Sequence, residues 1–491
     1  VFRRIDKASG HTRYIYHGND GTSMPWNDTA QLDYLKAEVR EVVYQTILSV
    51  ARKFPIIRFD AAMTLAKKQV KRLWFPEPGQ GGAIPSRSEH ALTHEQFESA
   101  MPEEFWRNVV DRVAVEAPDT LLLAEAFWMM EGYFVRTLGM HRVYNSAFMH
   151  MLRDENNSGY KQLLKNTLEF EPEILKRYVN FMNNPDEKTA VEQFGKGDKY
   201  FGVCTLMATF PGLPMFGHGQ IEGFAEKYGM EYKRAYLDES VDNNLVERHA
   251  REIYPLLRSR SQFSGVENFW LFDFHDDSGQ VNDNVYAFSN GLGSERSLVL
   301  FNNNYSSGEG WIKSSASRLT GNRSRKAHTE LAQALNLPRG ARAFLIFSDH
   351  STGLQYIRPL KALHDEGFHI HLKGYEYHVF HGFHVVTPDS THDYQRLADF
   401  LGERGVPDIE SALSELFIQP VLQPFREIAN AGYFKYLLSL KSTTPADRSE
   451  APAKYPALPK GLDTRIAPTT RKATPTQPLR PPLQPALALR P

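Results

Sequence analysis

Along the first 260 residues, short apolar runs alternate with stretches whose apolar residues recur at helical spacing. No other feature constrains the fold as strongly, because helices alternating with apolar strands build a parallel sheet with helical crossovers. AEVREVVYQTILSVARK (37–53) sets Val39, Val42, Val43, Ile47 and Val50 at helical spacing and runs directly into FPIIRFD (54–60). Phe54 to Phe59 is short and isoleucine-rich, which predicts a strand buried on both faces. PEEFWRNVVDRVAVEAP (102–118) then leads into DTLLLAEAFW (119–128). Further strands are expected in RVYNSAF (142–148), YVNFMNN (178–184) and GLPMFG (212–217). Helices are expected over about 158–177, 198–209 and 241–260.

After about residue 265 the pattern changes. NFWLFDFH, NVYAFSNG, SLVLFNNN and RAFLIFSD are β-rich runs separated by Gly, Asn, Asp and Ser, and predict an antiparallel β domain. Residues 389–441 return to helical spacing. From 444 the chain is rich in Pro, Ala, Thr and Arg, a composition that cannot bury a core and predicts disorder.

A net charge of −1 over 491 residues gives no electrostatic case for nucleic acid or an anionic membrane. No apolar run approaches the ~20 residues that a membrane helix needs. The single cysteine, Cys204, excludes an intramolecular disulfide framework and reads as a small buried hydrophobe. The chain starts at VFRRIDKASG without methionine or leader, as a piece of a longer polypeptide or a processed one. Its compartment stays open, the cytoplasm slightly favoured.

Three strand ends each deliver a carboxylate: Asp60 in IIRFDAA, Glu125 in LLLAEAFW and Asp186 in FMNNPDE. In a parallel α/β sheet or barrel, residues just past the carboxyl ends of strands converge on one face, where active sites form. Arg58 and Asp60 are two apart and leave an extended chain on the same side, so their charges are expected to pair.

IIRFDAAMTL resembles the catalytic-nucleophile segment of the α-amylase family, glycoside hydrolase family 13. LLLAEAFW resembles its general-acid segment, and FMNNPDE its third segment, which supplies a transition-state-stabilising aspartate. GLPMFGHGQIEG (212–223) resembles the eighth-strand segment, and QLDYLKAEVR (31–40) the stretch before the helix that precedes the nucleophile strand. The resemblance covers about 20 to 350. It implies Asp60 as nucleophile, Glu125 as acid/base and Asp186 as a group that holds the distorted sugar. Arg58, Asn184 and His218 are the implied substrate-binding residues. A guanidinium beside Asp60 favours its charged form, and apolar surroundings would keep Glu125 protonated near neutrality. The implied activity is retaining cleavage of α-glucosidic bonds in an α-glucan or maltooligosaccharide. A transglycosylase using the same residues and an inactive carbohydrate-binding fragment are the alternatives. A barrel enzyme that uses the acids for metals is a third.

The sequence departs from the family in two places. Pro185 stands where a histidine usually precedes the third-segment aspartate. The aspartate and asparagine–histidine pair of the third strand is not found in residues 1–53. The expected architecture is therefore strands 4–8 of a (β/α)8 TIM barrel, an open sheet with exposed edges, over 1–262. An antiparallel β-sandwich domain (263–385), a helical extension (386–443) and a disordered Pro-rich tail (444–491) would follow. No metal is assigned: the calcium that family members often bind would use the segment not found.

Trp74, Phe75 and Trp128 are candidates for stacking on sugar rings, with Tyr133 and Tyr144 as weaker ones. His141 reads as a local hydrogen-bonding group. The Gly/Pro-rich loop 74–97 follows the nucleophile strand and is expected to shape a cleft. Glu89, His90 and His94 within it match no trusted zinc spacing and read as solvated residues. Oligomeric state is not legible.

Overall fold

A computed structural model describes residues 2–21, 26–80, 88–127, 130–227, 233–321, 325–340, 342–389 and 392–440. It divides into two units, residues 1–416 and 417–491. The expectations for Trp128, for loop residues 81–87 and for the 444–491 tail lie outside the described residues.

The first unit opens with an exposed antiparallel hairpin of β1 (Phe2–Ile5) and β2 (Thr12–Ile15). The predicted parallel sheet follows. Its strands are β3 (Ile56–Phe59), β4 (Leu121–Ala124), β5 (Arg142–Tyr144), β6 (Tyr178–Phe181) and β7 (Leu213–Met215), each paired with the next in chain order. Helices Phe105–Glu116, Asn157–Phe170 and Asp198–Thr209 lie in the crossovers, close to where helical spacing placed them. The region after β7 forms two helices, Asn243–Glu252 and Tyr254–Arg258, with Pro255 opening the second.

Two local expectations need correction. The β3 segment is not buried on both faces: Phe54 and Ile56 are 57% and 58% exposed. The reason is its place at the sheet edge, where β4 is its only strand partner among the described residues. In helix Ala37–Ala51, Val42 and Val50 face solvent, while Tyr44, Leu48 and Ala51 form the buried stripe. That stripe is set by the neighbouring helix, whose Phe105 stacks on Tyr44 at 5.0 Å.

The β-rich runs form one eight-stranded antiparallel sheet. Its strands are β8 (Trp270–His275), β9 (Val285–Asn290), β10 (Ser297–Asn302), β11 (Gly308–Ser315), β14 (Phe344–Asp349), β15 (Gln355–Pro359), β16 (Phe368–Leu372) and β17 (Tyr377–Val386). A side hairpin of β12 (Arg318–Thr320) and β13 (Arg325–Ala327) interrupts the run. The order is β15-β14-β17-β10-β9-β8-β11-β16. Phe368 of the last strand nonetheless lies 5.8 Å from Phe347 and 5.6 Å from Phe380, near the other end. The sheet therefore folds over on itself around Phe272, Phe274, Leu298, Leu300 and Phe347, in the manner of a sandwich.

Period-two alternation assigns the other face. Tyr286, Phe288, Val299 and Phe301 point away from that core and join Phe201 and Cys204 of helix Asp198–Thr209. This is why β9 and β10 read as unbroken apolar runs although they are antiparallel: both faces are covered. Cys204 is buried, as expected, and burial pushes its thiol pKa up.

The chain from Tyr394 to Leu416 lies on β14 and β15, where Leu397, Leu401, Ile409, Leu413 and Leu416 pack on Phe344, Ile346 and Ile357. In the second unit, Phe417, Ile418, Val421 and Phe425 of helix Ile409–Ile428 are exposed, as are Phe434 and Leu438 of helix Ala431–Leu440. No helix of the described residues is long and apolar enough to cross a membrane.

Candidate active site

The three predicted carboxylates come together. Asp60 follows β3, Glu125 follows β4 and Asp186 lies on the turn after β6. Each contributes an oxygen to a group in which all lie within 4.8 Å of one another. In-register parallel pairing explains the first two: Phe59 pairs with Ala124, so the next residue of each strand emerges at the same level.

Arg58 ties the group. Its Nη1 is 2.5 Å from Asp60 Oδ1 and its Nη2 is 3.1 Å from Glu125 Oε2. Its Nε donates to Tyr144 Oη at 2.8 Å. The same Glu125 oxygen accepts a 2.8 Å hydrogen bond from the Ala61 backbone N–H. Ala61 sits in the left-handed region, φ 43° and ψ 37°, which costs an alanine about 1 kcal/mol. That turn aims the Ala61 N–H at the acid, which ties the strain to the site. Glu125 Oε1 is buried and has no hydrogen-bond partner among the described residues.

Glu125 is 2% exposed. Burial pushes its carboxyl up to about 7, aided by the charges of Asp60 and Asp186 and opposed by Ala61 N–H and Arg58. Burial and the Asp60 charge also raise Asp186. The sequence-based expectation of a Glu125 protonated near neutrality is met, and desolvation is the leading cause. The folded chain then binds more protons than the unfolded chain between 4.5 and about 7. The contribution of Glu125 to stability is therefore full below 4.5 and is lost as pH rises through 7. Glu125→Gln, which keeps the shape without the charge, should raise Tm over the parent at pH 8 and do so less at pH 5. Thermal melts at the two pH values check this, and an equal shift at both would contradict it.

Asn184 is buried, and its side-chain oxygen accepts from the backbone N–H of Asp186 and Glu187 at 3.0 and 2.9 Å. It shapes the turn that carries Asp186. Lys227 Nζ donates to the Asp186 carbonyl at 2.6 Å. Pro185 supplies no donor, and the histidine found in this neighbourhood is His150, whose Nε2 lies 3.2 Å from Glu187 Oε1. His218 is exposed on the loop after β7, its ring 6.2 Å from Phe224.

The remaining candidates scatter. His141 Nδ1 accepts from Leu122 N–H near the start of β4, so it serves the amino ends of the strands. Tyr133 Oη donates to Glu104, and Phe75 packs 6.3 Å from Phe97. Trp74 is half-buried beside Tyr16. His90 meets Tyr16 Oη at 3.4 Å while His94 meets Lys71 Nζ at 3.3 Å. Tyr144, weighed in the sequence only as a stacking group, is in the site as a partner of Arg58. Its position as the last residue of a strand was the usable signal; nothing in the sequence marks the Ala61 turn.

The spacing of the three acids would bracket a cation, but their donors do not suit one. Arg58 already contacts two of them with a permanent positive charge, and Ala61 N–H takes a further position on Glu125.

No protein-family model and no curated protein matches the chain. Solved structures do. A debranching enzyme from Nostoc punctiforme aligns with TM-score 0.44 and 13% identity over 72% of this chain. An α-amylase from Geobacillus thermoleovorans, complexed with acarbose, aligns with TM-score 0.47 and 13% identity over 75% of this chain and 71% of its own. A cyclomaltodextrin glucanotransferase aligns with TM-score 0.43 and 15% identity over 73% of this chain. The chain spans 62% of the length of both the debranching enzyme and the glucanotransferase.

Proposed function

We propose that the protein cleaves glycosidic bonds with retention of configuration, through a covalent glycosyl-enzyme on Asp60. The observation that carries this reading is the meeting of three strand-end carboxylates within 4.8 Å, two of them bridged by one guanidinium. Retaining enzymes hold their two acting carboxyls about 5 to 5.5 Å apart, whereas inverting ones leave ~6.5 to 9.5 Å for a water. In the first step the Glu125 proton passes to the glycosidic oxygen, the bond from that oxygen to the anomeric carbon breaks, and an Asp60 oxygen bonds to that carbon. We assign the proton to Glu125 Oε1, which has no hydrogen-bond partner among the described residues, because Oε2 is taken by Arg58 and Ala61. In the second step Glu125 takes a proton from water or a sugar hydroxyl, which attacks the anomeric carbon and releases Asp60. Asp186 holds sugar hydroxyls, with Asn184 fixing its turn and His218 contacting the substrate from the eighth-strand segment.

The substrate class follows from the segments around these residues, which resemble those of α-glucan-active enzymes: an α-glucan or maltooligosaccharide. The domain division at residues 262, 385 and 443 belongs to the same proposal.

The test is to incubate the protein with a fluorinated α-glucosyl fluoride, whose glycosyl-enzyme turns over slowly, and to map the adduct by mass spectrometry. A sugar on the peptide carrying Asp60, with turnover of maltooligosaccharides that survives exhaustive chelation, is expected. An adduct elsewhere, or turnover abolished by chelation, would overturn the assignment.

A further inference from the structure

We propose that Tyr144 is the positioning residue that aims the Arg58 guanidinium at both acting carboxylates; this rests on the roles given above to Asp60 and Glu125. Arg58 leaves an edge strand, and its side chain is long enough to take many rotamers. A guanidinium serves two acids at once only when its plane is fixed, since the directions of its N–H groups are fixed by that plane. Nη1 donates to Asp60, and Nη2 lies 3.1 Å from Glu125 Oε2 as an ion pair without a hydrogen bond. Nε donates to Tyr144 Oη at 2.8 Å, so the plane that brings Nη2 to Glu125 is set from the Nε and Nη1 side.

Tyr144 is itself held still. It is 1% exposed, ends β5, and pairs with Val179 of β6. Its ring lies 4.9 Å from that of Phe181, and the Arg58 Cζ is 5.4 Å from its centroid. The ring thus belongs to the core and the hydroxyl to the site. The groups facing Glu125 are Arg58, Asp60 and the Ala61 N–H from the β3 side, Asp186 from the β6 turn, and Tyr144 from β5. Burial raises the Tyr144 pKa and keeps the phenol neutral. Its leverage on Glu125 therefore passes through Arg58.

Tyr144→Phe removes the acceptor and keeps the packed ring. The expected result is a folded protein with at most the small fall in Tm that one lost hydrogen bond brings, and a fall of roughly 10- to 100-fold in kcat/KM, the effect of misplacing a reacting group by ~1 Å. The Glu125 titration midpoint should also move up, because a loosened guanidinium favours its ionised form less. That midpoint is followed by carbon-13 NMR of labelled glutamate carboxyls, assigned with Glu125→Gln. A packing role alone would not move it. As a second measurement, Tyr144→Phe is repeated in an Arg58→Lys background, which has no Nε fork to aim and should show no further loss or shift. An unmoved midpoint in Tyr144→Phe, or equal effects in both backgrounds, overturns the proposal. A protein inactive on α-glucans whose Glu125 midpoint still moves would overturn the functional reading and uphold the positioning role.

Discussion

Asp60→Asn should abolish glycosidic-bond cleavage while leaving a folded protein. As nucleophile, Asp60 makes the bond that divides the reaction into two steps, and losing such a group costs roughly ten-thousand- to a million-fold in kcat. The structural cost is small, because its side chain is 56% exposed and its pair with Arg58 reaches solvent. Such pairs contribute at most about 1 kcal/mol. A second readout separates a lost nucleophile from a disturbed site. The Asp60 charge is one of the groups that push Glu125 up, so the Glu125 midpoint should fall in Asp60→Asn. Steady-state assays on maltooligosaccharides and the carboxyl titration together test this. Activity within tenfold of the parent would remove Asp60 from the mechanism.

The second large effect is on stability. Gly202→Ala, in the middle of helix Asp198–Thr209, should destabilise the protein by about 1 to 3 kcal/mol, the cost of overpacking a core that cannot yield. A Cβ at that position would stand 2.0 Å from Cε2 of Phe301, well inside contact. Phe301 is fully buried on β10, with the doubly covered sheet behind it. The sign of the result is decisive. Glycine inside a helix is worse than alanine by about 1 kcal/mol, so without the close approach the same substitution would stabilise. Denaturant unfolding of Gly202→Ala, and of Gly202→Ala combined with Phe301→Leu, measures both terms. The double variant should be more stable than the two single losses predict, because leucine vacates the space the new methyl needs. Gly202→Ala as stable as the parent would mean that helix and sheet do not meet there.

The parts of the molecule legible in the chain are those that periodicity controls. Helix Asp198–Thr209 is where its apolar run placed it, and the four β-rich runs after 265 all became strands. The carboxylates were legible too, because a parallel strand exposes its next residue at one end of the sheet wherever that strand lies. Position relative to a strand end is a local property of the sequence.

Neighbours were not legible. The β3 segment reads like an interior strand, yet it is an edge, because burial of a strand depends on how many partners it has and not on its own residues. Val42 and Val50 sit on a helix whose buried stripe was chosen by Phe105, far away in sequence. The three-way use of Arg58 follows the same logic. The chain by itself determined that an arginine precedes the first acid by two residues, which on a strand puts both on one side. That its third nitrogen meets Tyr144, that Ala61 turns its N–H onto Glu125, and that burial lifts this acid to about 7, only the tertiary structure decided. Desolvation and hydrogen-bond direction are sums over surroundings drawn from several strands, and no single stretch of sequence contains those surroundings.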